Sequence, residues 1–163
     1  MCTPLLRFEL GVKLPVSISI RPVADGDRKR WESMFQAYAE FYKTSIPEGG
    51  FDGVWGWIKD EKNPFWCDVA ESGDGQVIGF TQYQLMHRSL GGSMVCYLSD
   101  LYVEPDLRGG GVGRGLINHV VDFAKERGLP GVRWLTQEFN YPARRLYDTY
   151  GPKTDFILYN VPT

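Results

Sequence analysis

From Ser17 onward the chain switches several times between a two-residue and a helical hydrophobic rhythm. Residues 17–21 alternate polar and apolar positions and predict a strand, which Pro22 ends. Trp31, Phe35, Tyr38, Phe41 and Tyr42 then fall near helical spacing, predicting a helix over residues 28–43 with Asp25 or Asp27 as its cap. Pro47, Gly49 and Gly50 interrupt it, and residues 51–59 read as a shorter helix carrying Trp55 and Ile58. Strands follow over residues 65–71, 76–86 and 94–103. The turn-forming residues at 72–75 and 91–92 join them into an antiparallel meander.

The rhythm then returns to helical. Val112, Leu116, Val120 and Phe123 form one apolar stripe, so a helix is expected over residues 111–127, with Gly128 at its C-terminal end. Residues 132–136 predict a strand. Residues 141–150 predict a helix capped by Asn140 and stopped by Gly151 and Pro152, and residues 156–159 predict a last strand. A strand–helix–strand unit behind a meander implies a parallel pair joined to an antiparallel sheet, so the fold class is mixed α/β.

Composition narrows the class. A length of 163 residues with 43% apolar side chains suits one compact domain with a sizeable core. The net charge of −2 gives no basic face for broad nucleic-acid binding. Cys2, Cys67 and Cys96 show no ligand-like spacing and are odd in number, which predicts free thiols in a reducing compartment. His87 and His119 are far apart, so no metal site is expected. No apolar run approaches a spanning length. Residues 1–16, broken by Arg7, Glu9 and Lys13, lack a signal-peptide core and read as an extension before a domain over residues 17–163. A soluble, cytoplasmic protein is the expectation.

The chemistry concentrates in Arg108, Gly109, Gly110, Gly111, Val112 and Gly113, between a strand and a helix. Glycines there let the backbone turn tightly and approach a ligand. The helix start adds unpaired N–H groups and the positive end of a dipole, which suits a pyrophosphate, and Arg108 and Arg114 add charge. Dinucleotide-type spacing fails from Gly109, Gly111 and Gly113, because positions 114, 116 and 118 are not glycine. The P-loop pattern fails because Leu116 follows Gly115.

The stretch from Leu101 through Gly113 resembles the acetyl-CoA motif of the GNAT superfamily of N-acetyltransferases. Its Arg/Gln-x-x-Gly-x-Gly/Ala core is matched by Arg108, Gly111 and Gly113. Asn140, Ala143, Leu146, Tyr147 and Gly151 resemble the helix that closes the cofactor site in that family. The Phe41-Tyr42-Lys43-Thr44 and Leu98-Ser99-Asp100-Leu101-Tyr102-Val103 stretches are similar to the Hpa-type (histone and D-amino-acid) and diamine acetyltransferases. The resemblance implies a GNAT fold: a mostly antiparallel sheet with a parallel pair splayed around the cofactor and about four helices. It also implies acetyl-CoA as co-substrate, no metal, and direct attack by an amine through a tetrahedral intermediate.

It carries over site roles as well. Backbone groups of Leu101, Tyr102 and Val103, freed by a strand bulge, would contact the cofactor with the glycine loop and Arg114. Asn140 would bond the cofactor or the strand that carries it, or simply cap its helix. Tyr147 would protonate the leaving thiolate, or else be core. Diamine enzymes of the family carry glutamate where Ser99 stands, so the base is open. Asp100 is the alternative, acting on the amine through water or serving as a structural carboxylate. Tyr38, Tyr42 and Asp100 are the acceptor-binding candidates, among a wall of Phe41, Glu48, Asp52, Trp55 and Trp57 that suits a small cationic amine. A polyamine, an amino acid or a lysine-like amine fits. A protein lysine or N-terminal acceptor, or a non-catalytic acyl-CoA-binding module, is the alternative. A homodimer pairing through Phe156-Ile157-Leu158-Tyr159 is expected on the resemblance.

Overall fold

The computed structural model describes residues 17–163, so the proposed extension over residues 1–16 lies outside the described residues. Two compact units divide the described chain: the stretch ending at Arg133, and Trp134–Thr163.

The first unit is a five-stranded sheet in the order β1-β2-β3-β4-β5. The strands are β1 (Ile18–Pro22), β2 (Phe65–Ser72), β3 (Val77–Arg88), β4 (Ser93–Val103) and β5 (Val132–Arg133). The first four pair antiparallel, and β4 and β5 pair in parallel, as the mixed class requires. The hairpin at Ser72 closes through Gly75, whose φ of 82° only glycine adopts freely.

Both faces of the sheet are covered, which explains why β2 and β3 read as nearly continuous buried runs. On one face lie α1 (Arg28–Phe41) and α2 (Gly50–Lys59). Trp31, wholly buried, meets Trp55 of α2 at 5.3 Å between ring centroids and joins Phe80 and Tyr102 in one core cluster. On the other face lies α3 (Val112–Glu126), whose Leu116, Ile117 and Val120 have no exposure. Its C-terminal end closes as expected. Gly128 takes φ 64° and donates to the Lys125 carbonyl, and Leu129 N–H reaches back to Ala124.

The second unit holds one helix, α4 (Tyr141–Tyr147). It stops four residues short of Gly151: Thr149 and Tyr150 turn back onto Leu146 and Tyr147 instead of extending it. Residues 156–159 are not a strand. Phe156, Ile157, Leu158 and Tyr159 are 71–87% exposed and carry no ladder. An apolar run becomes a strand only when a neighbour takes up its backbone groups. The strand expected over residues 132–136 likewise shrinks to its two paired residues. Asp27 occupies the N-cap position of α1, yet its carboxylate serves Ala24 N–H and the Arg21 guanidinium rather than α1.

Gly79 of β3 lies close against both β4 and α3. A Cβ there would sit 2.7 Å from the Tyr102 carbonyl oxygen and 3.4 Å from a Leu116 methyl. Neither backbone nor buried helix can yield freely. Gly79→Ala is expected to destabilise the protein by about 1–3 kcal/mol, read as a lower urea midpoint; an unchanged midpoint would show that the packing is loose.

Candidate functional site

The glycine loop leads into α3 through a strained backbone. Gly109 has φ 84° and Gly111, the N-cap of α3, has φ 91°. Both lie in the left-handed region that other residues avoid. Gly111, the N-cap, has no side chain to cap the helix, whose first-turn N–H groups have no acceptor within the helix itself. A Cβ built on Gly111 would meet no heavy atom within 4 Å. The helix dipole adds about half a positive charge there. Arg108 is exposed, is tied by Nε to the Val103 carbonyl at 2.9 Å, and lies 5.8 Å from the Tyr102 ring centre. The left-handed glycines, the helix start and Arg108 fit a pyrophosphate such as that of CoA.

Strand β4 carries the second half of the site. Its pairing with β3 slips at one place. Gln82 faces Asp100 and Tyr83 faces Leu98, leaving Ser99 as an extra residue, the bulge expected before Leu101. Alternation is therefore broken, and Tyr97 and Asp100, three apart, both come to the face covered by α1. Past Tyr97, β4 has no ladder with β5, which pairs only at Cys96 and Tyr97. The β4–β5 ladder thus ends before Leu101, Tyr102 and Val103.

Asp100 is half-buried on that face. Gln82 Nε2 donates to its Oδ2 at 2.7 Å, and Tyr38 of α1 also hydrogen bonds to it. Burial pushes its carboxyl above the usual carboxylate range, and the bonds from Gln82 and Tyr38 pull the other way. Tyr38 meets Tyr42 edge to face at 5.0 Å. The structure thus joins all three acceptor-binding candidates, Asp100, Tyr38 and Tyr42, into one group. Of the expected wall, Trp55 is core, Asp52 pairs with Arg28, and Phe41 and Trp57 are exposed. Ser99 Oγ accepts from Gln84 Nε2 at 3.3 Å.

In the second unit, Tyr147 packs edge to face on Trp134 at 5.4 Å. Asn140 is buried at the N-cap of α4 but makes no side-chain cap; its Nδ2 donates to Thr136 Oγ1 at 3.1 Å.

Two features escaped the sequence reading. Gln82, 1% exposed, also accepts from Trp31 Nε1 at 2.9 Å. On the opposite face, buried Asp68 accepts from Tyr83 Oη at 2.5 Å and pairs with His119 at 3.1 Å, beside a cavity of about 290 Å³. This pairing raises the His119 pKa. The run Thr81-Gln82-Tyr83-Gln84 inside an otherwise apolar strand was the available signal for both.

The family profile described as "Acetyltransferase (GNAT) family" matches residues 31–151. D-amino-acid N-acetyltransferase HPA3 of Saccharomyces cerevisiae is 33% identical over 143 residues, covering 87% of this chain and 89% of its own. Thialysine N-epsilon-acetyltransferase of Sus scrofa is 31% identical over 151 residues, covering 84% of this chain and 85% of its own. Among solved structures, an aminoglycoside N-acetyltransferase in complex with CoA superposes with a TM-score of 0.77 at 19% identity, covering 93% of this chain and 98% of its own. That likeness supports the fold.

Gly111→Ala gives a direct test of the cradle. Alanine relaxes out of the left-handed region, and returning to it on binding costs about 1–2 kcal/mol. Calorimetry should show CoA affinity weakened about tenfold, with little change in thermal midpoint; undiminished affinity would contradict the cradle.

Proposed function

The chain belongs to the GNAT family of acetyltransferases, and from that premise we propose that it moves an acetyl group from acetyl-CoA to the primary amine of a small molecule. An amino acid, a lysine-like amine or a polyamine is the acceptor class. The observation that carries this reading is the half-buried Asp100 carboxylate held beside Tyr38 on the α1 face of a bulged strand. A carboxylate among aromatic rings attracts a small alkylammonium ion by charge and by cation–π contact. Two relatives whose names specify amino-acid acceptors, the yeast D-amino-acid enzyme and the pig thialysine enzyme, support the same class.

When bound, acetyl-CoA supplies an activated acyl thioester. The glycine loop, Arg108, Arg114 and Asn140 hold it by our reading, with backbone groups of Leu101, Tyr102 and Val103 polarising the acyl carbonyl. Asp100 accepts the first proton from the ammonium nitrogen and frees its lone pair to attack the acyl carbon. As the carbon–sulfur bond breaks, Tyr147 gives its phenolic proton to the departing sulfur and recovers one from the second proton that leaves nitrogen.

A homodimer belongs to the same proposal. Exposed Phe156, Ile157, Leu158 and Tyr159 form an apolar run that a second copy would cover. A monomer by light scattering would contradict it.

Thiol release from acetyl-CoA is to be measured with D-amino acids, lysine analogues, polyamines and a lysine peptide. Turnover of small amines is expected, and turnover of the peptide alone would contradict the acceptor class. Tyr147→Phe should lower kcat about 100-fold with the KM for acetyl-CoA nearly unchanged. A kcat within twofold of the parent would remove Tyr147 from the chemistry.

A further inference from the structure

Cys67, Gln82 and Asp100 stand in one row across β2, β3 and β4, on the face that Trp31 of α1 covers. Gln82 joins two groups of opposite character. Trp31 Nε1 carries a hydrogen and has no lone pair to offer, so it can only donate. Its contact with Gln82 Oε1 at 2.9 Å therefore fixes which end of the amide is oxygen. The other end, Nε2, must then be the donor, and it points at Asp100 Oδ2 at 2.7 Å. Neither link can be reversed without leaving a buried group unsatisfied. Trp31 is 0% exposed and Gln82 is 1% exposed, so water does not compete for these bonds.

We propose that Trp31 and Gln82 are positioning residues: a one-way hydrogen-bond relay that holds Asp100 as a proton acceptor facing the amine. The relay rests on the reading of Asp100 as the group that meets the acceptor. A lone glutamine would rotate its amide to follow the protonation state of the carboxyl, offering nitrogen to a carboxylate and oxygen to an acid. With Trp31 on its oxygen, the amide offers only nitrogen and favours the ionised form. It acts against the burial that raises the Asp100 carboxyl.

The titratable groups that face Asp100 are Tyr38 from α1, Cys67 from β2 and Tyr97 from its own strand. Burial pushes Cys67 and Tyr97 upward, and Asp100 adds to both shifts. A thiol and phenols are neutral where a carboxyl titrates, so a single acidic step belongs to Asp100.

The test uses the full chain with 15N-labelled tryptophan and 13C-labelled aspartate, the Asp100 carbon being assigned with Asp100→Asn. The Trp31 indole resonance should shift with the same midpoint as the Asp100 carboxyl carbon, and Asp100→Asn should flatten it. Gln82→Met removes the donor and should raise the Asp100 midpoint by about one pH unit. The acid limb of kcat/KM should move upward by the same amount. Trp31→Phe leaves the donor but frees the amide to turn, so a smaller shift in the same direction is expected. An indole resonance indifferent to Asp100, or an unmoved midpoint in Gln82→Met, would overturn the relay. The unsubstituted protein supplies the first of these readouts, so poor folding of Trp31→Phe cannot rescue the idea. If the relay titrates as described while Asp100→Asn keeps full activity and its acid limb, the role of Asp100 toward the amine is overturned instead.

Discussion

Ser99 has no partner across the β3–β4 ladder, and the facing of every residue around it follows from that. In an unbroken strand, residues three apart point to opposite faces. The extra residue brings Tyr97 and Asp100 to the same face, opposite Gln84 and Gln82, while Tyr102 stays in the α1-side core and Val103 in the α3-side core. Bulges also bend a strand and increase its local twist. Here the ladder to β5 ends at Tyr97, just before the bulge, so the β4 edge from Leu98 to Val103 carries no β5 partner. One inserted residue thus delivers a side-chain carboxylate to the face that α1 covers.

The two halves of the proposed reaction use different kinds of group. The donor half is mainly backbone: left-handed glycines, the start of α3 and the stretch of β4 beyond its β5 ladder. Such groups are fixed by the fold and need no reorganisation when charge arrives. The acceptor half is a chain of side chains in which each member limits the next, from Trp31 through Gln82 to Asp100. Burying three polar groups in an aromatic core destabilises the fold unless all are satisfied. Satisfaction has a functional consequence, because Gln82 then offers Asp100 only a donor and cannot accept from it.

Periodicity revealed nine of the ten expected elements, and α1, β2, β3, β4 and α3 among them bury a face. Trp31, Phe80 and Leu116, all at zero exposure, lie at positions that rhythm alone marks as core. The failures share a cause. Residues 156–159 are as apolar as any strand, yet they lack a ladder partner, and a partner is a tertiary fact. The end of β5 was overdrawn for the same reason. In the site, the glycine loop was legible because uncommon backbone angles demand an uncommon residue. The relay was not, because Trp31 and Gln82 are 51 positions apart and each has an ordinary role alone. Asn140 was legible as a helix start, but its bond to Thr136 depends on the turn between them.

The proposed reaction divides along β4, with CoA at the glycine loop and the amine at Asp100. A crystal structure with CoA and a non-reactive amine analogue tests this most directly. It should show the pyrophosphate about 3 Å from N–H groups at the start of α3, and the amine nitrogen at about the same distance from Asp100 or from a water bound to it. An amine lodged away from Asp100, with its nitrogen paired to another carboxylate, would contradict the account.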